Sequence, residues 1–422
     1  MKEDFLHYVW RFKKFPLTGL TTTSGENLQI LHTGQYLQRS GPDFFNAQIV
    51  IGNQKWAGNI EIHLSSTDWY IHNHQHDPAY DNVVLHVVWN HDAPIFRKDN
   101  TEIHTLELHH FISPGLIQNY EALIRPKSWI YCEKQLASID SFTLQNWLER
   151  LFLERLERKS EAILTLLQHQ TGDWEAVLFC LLAKNFGLNT NGMSFMEMAR
   201  CLPFSIIRKE HFEITNLEAL FFGSCGLLEG EKQDQYFVEL KSAYHYLAEK
   251  YRFEKPEITP LQFFRLRPDN FPTIRLAQLA MLYHQKENLF TSIIHSESTN
   301  EIYNLFNVSV SSYWQGHYQF DRENQLKKRT LTHSFIDLVI INTIIPFRFA
   351  YVKNQGKETI ENLMSLLQSI PAESNSILDH FTSFGIKPKN AFESQALLEL
   401  KNDYCNKGRC LECAIGTTLL KY

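Results

Sequence analysis

The eight residues at 82–89, NVVLHVVW, constrain the fold of this chain more than any other stretch. A strand with one wet face alternates apolar and polar residues, whereas this run leaves no polar face to show to water. It predicts a central strand covered on both sides. Neighbours for it are legible nearby: Leu28–His32, Phe44–Ile51, Trp56–Leu64 and Glu102–His110 read as extended segments. The turn GNQK (52–55) separates two alternating runs and predicts a hairpin. DPAYDN, just before the apolar run, predicts a short helical turn. Phe5, Tyr8, Val9 and Phe12 recur at helical spacing near the start.

From about residue 126 the pattern changes. RPKSWIYCEKQLASID reads as a connector, and SFTLQNWLERLFLERLERKSEAILTLLQHQ follows with Leu144, Trp147, Leu148, Leu151 and Phe152 at helical spacing. Arginine and glutamate form its outer face. Segments such as DWEAVLFCLLAKNFG and TIENLMSLLQSI continue in the same way. The predicted organisation is an α+β or α/β domain at 1–125, a connector at 126–140, a mostly α-helical domain at 141–388 and a C-terminal helical segment at 389–422.

Of the 422 residues 44% are hydrophobic and 21% charged, which is ordinary for a globular chain. No run of about 18 apolar residues stands out, and MKEDFLHYVWRF lacks the apolar core of a signal peptide. With seven cysteines, an odd number, the expectation is a cytoplasmic protein with no membrane span. The net charge is −6, and residues 1–125 hold 9 Lys+Arg against 13 Asp+Glu. A nucleic-acid partner therefore needs a local basic patch, and no protein partner is legible.

Three groups of residues carry possible chemistry. In GNIEIHLSSTDW, Glu61 and His63 share one face of a strand, with Asp43 after Gly41-Pro42 upstream. Pairing Asn46 with Glu61 matches apolar to apolar but puts Asp43 on the wrong face unless the chain bends, as Gly-Pro allows. Asp43 beside Glu61 would hold Mg²⁺, to polarise a phosphoryl oxygen and acidify a water. The plain alternative is a hydrogen-bonded Glu61–His63 pair on a solvated face.

The second group is a histidine cluster: nine of nineteen fall between 63 and 110. His72, His74 and His76 alternate in HNHQHD, and His86 lies in the apolar run. Imidazoles so spaced bind Zn²⁺, with Asp77 and a water completing a hydrolase, or are simply satisfied polar groups. His72, Asp77 and His86 are expected to line the same pocket as Glu61.

The third group is YCNKGRCLEC, where Cys405, Cys410 and Cys413 have C-x4-C-x2-C spacing around Gly408, Lys407 and Arg409. That pattern suits Zn²⁺ or an iron–sulfur cluster, with Cys132 or a histidine as fourth ligand. Otherwise these are three small buried side chains. Elsewhere, Arg267, Asn270, Arg275 and Gln278, with Tyr313, Trp314, His317 and Tyr318, either track a nucleic-acid backbone or serve caps and internal packing.

The order Pro-Asp, hairpin, Glu-x-His, helix, apolar strand, over about residues 28–92, resembles the core of the PD-(D/E)xK nuclease superfamily. GPDFFNAQI, GNIEIHLSSTDW, HNHQHDPAYDNVVLHVVW and YCNKGRCLECAIG together resemble the uncharacterised bacterial family catalogued as domain of unknown function 2851. The nuclease resemblance implies a restriction-endonuclease-like mixed sheet with flanking helices. It makes Asp43 and Glu61 the Mg²⁺ carboxylates and puts His63 at the lysine position, where imidazole lacks a permanent charge. The expectation is a Mg²⁺-dependent phosphodiesterase acting on nucleic acid. The alternatives are a catalytically silent version that binds nucleic acid or protein, and a zinc hydrolase using the histidines.

Overall fold

In the computed structural model, which describes residues 2–36, 41–123, 128–254, 256–356 and 360–420, the apolar run forms the strand Val83–Asn90, with Val83 to Val88 all buried. Each fully buried valine or leucine of this kind contributes roughly 1.5–3 kcal/mol. The sheet comprises β1 (Leu20–Thr21), β2 (Asn27–His32), β3 (Gln35–Tyr36), β4 (Phe44–Ile51), β5 (Gln54–Ser65), β6 (Val83–Asn90) and β7 (Thr105–Glu107), in the order β1-β2-β4-β5-β6-β7 with β3 on β4. β2, β4 and β5 run antiparallel, and β5, β6 and β7 run parallel. The protein is thus α+β: a mixed sheet first, then a mostly helical region.

The hairpin expected at GNQK forms with Ile51 opposite Gln54 and Gly52 at φ +60°, a conformation glycine adopts without penalty. The register is not the one predicted. Phe44 pairs with Ile60 and Ala47 with Gly58, so a bulge absorbs one extra residue between them. Asn46 takes φ +54° there and its N–H donates to Asn59 Oδ1 at 3.2 Å. Phe45 consequently points to solvent, while Phe44 is buried. Asparagine tolerates that left-handed conformation better than most side chains. The bulge, not a bend at Gly41-Pro42, restores Asp43 to the face of Glu61.

Gly58 is needed for a different reason. A Cβ there would stand 2.4 Å from Val84 Cγ1 and 2.6 Å from the Asn82 carbonyl oxygen, so only glycine lets β5 lie against the start of β6. The parallel crossover between these strands passes through short pieces: a helix Asp68–Ile71 and 3₁₀ turns at His74–His76 and Pro78–Tyr80. Trp69, Tyr80, Val83, Ile95 and Ile103 pack together beneath it. The first helix, α1 (Glu3–Arg11), buries Phe5, Leu6, Tyr8, Val9 and Trp10, and Trp10 Nε1 donates to the Thr33 carbonyl at 3.0 Å. Of the extended segment predicted at 102–110, only Thr105–Glu107 is strand; Leu108–Phe111 turns into a 3₁₀ helix.

The chain divides into two compact units. One takes Met1–Glu149, Asp379–Lys387 and Leu398–Tyr422, and the other Arg150–Leu378 and Pro388–Leu397. The cysteine-bearing tail thus belongs with the sheet. The boundary predicted at 125–126 lies outside the described residues. The second unit is built of helices such as Trp174–Phe186, capped by Asp173, and Gln235–Tyr251, capped by Asp234. One helix, His333–Asn354, is long and apolar enough by length and composition to cross a membrane, with 67% of its most apolar window buried within the protein. That burial is what a core helix shows. The run escapes a simple count because Asp337, Asn342 and Arg348 interrupt it.

Candidate metal centre

Glu61 and His63 alternate along β5 and are both nearly inaccessible, so the solvated-face reading does not hold. Glu61 lies opposite His86 in the β5–β6 register, which brings three polar side chains into a buried layer. His63 Nδ1 is 2.8 Å from His86 Nε2, and His63 Nε2 is 3.1 Å from His72 Nδ1. Glu61 Oε1 is 3.4 Å from His63 Nε2 and 3.3 Å from His74 Nε2. The helix Asp68–Ile71 and the 3₁₀ turn after it deliver His72 and His74, with Asn73 at φ +59° turning the chain between them.

The other oxygen of Glu61 faces the opposite way. Glu61 Oε2 accepts from the Asp43 N–H at 3.2 Å, and Asp43 Oδ2 accepts from the Ile62 N–H at 3.0 Å. His7 Nε2, from α1, stands 3.1 Å from Asp43 Oδ2. Among the described residues, donor atoms gather within 4.8 Å of one another at His63–His72–His74, at Glu3–His7–Asp43 and at Glu107–His109–His110. Glu61 stands between the first two groups.

Burial and the neighbouring Asp43 carboxylate push Glu61 up to about 9. Burial, then the adjacent rings of His86, His74 and His72, lowers His63 to about 2; burial likewise lowers His86 to about 3. These rings are neutral and available as ligands. Glu3 is raised to about 7, chiefly by burial. Burial disfavours charge on His7, but Asp43 beside it outweighs this and raises its affinity for a proton.

The structure thus brings together Asp43, Glu61, His63, His72 and His86 from the predicted set. Asp77 stands apart: it is exposed and accepts from the Ala79 N–H at 2.9 Å, capping the Pro78–Tyr80 turn. His86 is fully buried behind His63. Glu3 and His7 were not anticipated. Their i, i+4 spacing puts them on one face of α1, but nothing in chain order links that face to Asp43.

A cavity of about 150 Å³ is lined by Asp4, His7, Arg11, Tyr36, Lys407, Arg409 and Glu412, among others, so it adjoins the ring that touches Asp43; its charges are mixed, since Lys407 pairs with Asp403 and Arg409 with Glu412. The arginine–aromatic segment of the second unit is not a surface for a nucleic-acid backbone either. Arg275 is buried, donates to Gln278 and Asn270 and lies 3.9 Å from the centre of the Phe335 ring; Trp314 is buried and donates to Glu218 Oε2 at 2.8 Å. Internal packing accounts for those residues.

Cys405, Cys410 and Cys413 converge on one cavity, and Cys132 completes its lining. No curated protein and no solved structure matches the chain. A family model described as "Protein of unknown function (DUF2851)" matches residues 3–376, stopping short of the cysteine tail. On that match over most of its length, the chain belongs to the DUF2851 family.

Proposed function

We propose that this is a cytoplasmic, metal-dependent hydrolase of phosphodiesters, with nucleic acid as substrate and one divalent cation held by Glu61, His63, His72 and His74. One observation carries the reading. Contacts among those four donors measure 3.1, 3.3 and 3.4 Å. Ligands about 2.0–2.1 Å from a tetrahedral cation lie about 3.3 Å apart, so little rearrangement separates this arrangement from a closed site. Three imidazoles and one carboxylate suit Zn²⁺ or Fe²⁺ better than Mg²⁺, which prefers oxygen. A bound cation supplies a Lewis acid for a phosphoryl oxygen and a water of lowered pKa. The protein's own contribution is to keep His63 neutral and aimed, through His86, and to offer Arg11 beside His7 for phosphate groups.

A second reading keeps Mg²⁺ at Asp43 and Glu61, as the PD-(D/E)xK resemblance implies. The contact between those residues and the order of β2, β4, β5 and β6 favour it. A third, a silent fold that only binds, keeps the cavity beside His7 and no turnover. Metal analysis of the purified protein, followed by cleavage assays on DNA, RNA and a chromogenic phosphodiester with Zn²⁺, Mn²⁺ or Mg²⁺ added, tests all three. Turnover with Zn²⁺ or Mn²⁺ that Mg²⁺ alone cannot support is the expected result. Turnover with Mg²⁺ alone selects the second reading, and nucleic-acid binding without cleavage under any metal selects the third.

A further inference from the structure

Four of the seven cysteines, drawn from distant parts of the first unit, line one cavity. Cys132 comes from the segment before the long helix, and Cys405, Cys410 and Cys413 from the tail. All four are free thiols. The rest of the wall is aliphatic and aromatic, with Gly416. A cysteine buried as a small apolar residue has no reason to seek another cysteine. Burial raises all four thiols; Cys413 and Cys410 add to this at Cys132, pushed up to about 12, the other three cysteines add at Cys405, and Cys413 adds at Cys410. Four such thiols stay protonated in an apolar void unless a metal stabilises their thiolates.

The backbone is shaped around this cavity. Gly408 turns the tail at φ +67° between Cys405 and Cys410. A Cβ on Gly416 would stand 2.1 Å from the Cys410 carbonyl oxygen, so only glycine permits that approach. The amides of Gly416 and Ile415 favour the thiolate of Cys413, and the Lys401 ammonium that of Cys405.

We propose that Cys132, Cys405, Cys410 and Cys413 hold an iron–sulfur cluster. An all-thiolate set selects zinc or iron–sulfur over hard cations, and spacing separates the two. Metal–sulfur bonds of about 2.3 Å in a tetrahedral zinc site bring sulfurs within about 3.8 Å. Among the described residues, the groups whose donor atoms all lie within 4.8 Å of one another consist of histidines and carboxylates, and no three of these cysteines form such a group. A polynuclear cluster spreads its four thiolates over two or more irons, and C-x4-C-x2-C plus one distant cysteine supplies four. The cluster fastens the tail to the segment around Cys132. It stands independently of the centre at Glu61.

The test uses the full chain, produced with ample iron and purified without oxygen, with iron, acid-labile sulfide and zinc measured alongside the visible spectrum. Iron and acid-labile sulfide in equal amounts, about two or about four of each per chain, with a broad visible band bleached by dithionite, are expected. Cys410→Ser and Cys132→Ser should each lower iron content at least fivefold, while Cys201→Ser, at an exposed thiol outside the cavity, should leave it unchanged. The parent's own content decides the matter if a serine variant fails to fold. Zinc without iron in the parent, or no metal even after anaerobic reconstitution with ferrous iron and sulfide, overturns the proposal.

Discussion

Asp43 gives its backbone N–H to Glu61 Oε2 at 3.2 Å, while its own carboxylate accepts from the amide of Ile62 at 3.0 Å. The two acids are therefore locked side by side by backbone groups, without a proton between their carboxylates to hold them. Burial with a like charge nearby is what keeps Glu61 protonated up to about 9. A cation reverses that preference, because it replaces the proton with a charge of the right sign.

Glu61→Gln keeps the shape and the Oε acceptor but removes the charge. Its affinity for Zn²⁺ should fall at least 100-fold, with the circular dichroism spectrum unchanged. The parent should release about one proton on binding Zn²⁺ at pH 7, read by calorimetry in buffers of different ionisation enthalpy. Equal affinity in parent and variant would remove Glu61 from the ligand set.

His86 Nε2 meets His63 Nδ1 at 2.8 Å. Its role is to fix the ring so that Nε2 faces Glu61. His86→Phe fills the same space without the hydrogen bond and should weaken Zn²⁺ binding by about 10–100-fold. His86→Gln, which can still hydrogen-bond, should recover part of the loss. Identical affinities for Phe and Gln would mean that His86 only fills volume.

Asn46 holds the bulge that turns Asp43 toward Glu61. A β-branched side chain resists positive φ, so Asn46→Val should cost about 1–3 kcal/mol in chemical denaturation, while Asn46→Gly should cost far less. Loss of Asp43 from its place should also weaken divalent binding in the valine variant. A valine variant as stable as the glycine one would show that the bulge is not strained.

That bulge marks where sequence reasoning stops. The central strand, the hairpin turn at Gly52 and the helical spacing of 141–169 follow from local patterns, and the structure keeps them. A strand's period of two makes one inserted residue reverse every facing, so pairing by apolar match alone favoured Asn46 with Glu61. The site was legible as Asp43, Glu61 and the histidines because they lie on adjoining strands and the crossover. Glu3 and His7 were not, since a helix docks by its apolar face and its polar face carries no address. Cys132 was legible only through the count of thiols.

The buried Glu218 of the second unit offers a test of the electrostatics away from any metal. Its Oε2 accepts from Tyr236 Oη at 2.7 Å and from Trp314 Nε1 at 2.8 Å, and it is fully enclosed. Burial raises it to about 7 against the hydrogen bonds, which lower it. The folded protein therefore keeps a proton that the unfolded chain gives up near its ordinary value. The sign follows: this group's stabilising contribution is complete below about pH 4.5 and is lost as pH rises through about 7. Glu218→Gln retains an acceptor for both partners but has no charge to bury. The variant should gain about 2–3 kcal/mol on the parent between pH 5 and pH 8, most of the roughly 3 kcal/mol that a rise from 4.5 to about 7 represents by linkage. Chemical denaturation across pH 4–8 measures the difference, which cancels every titrating group the two proteins share. Parallel curves over that range would mean that Glu218 ionises in the folded protein as readily as in the unfolded one.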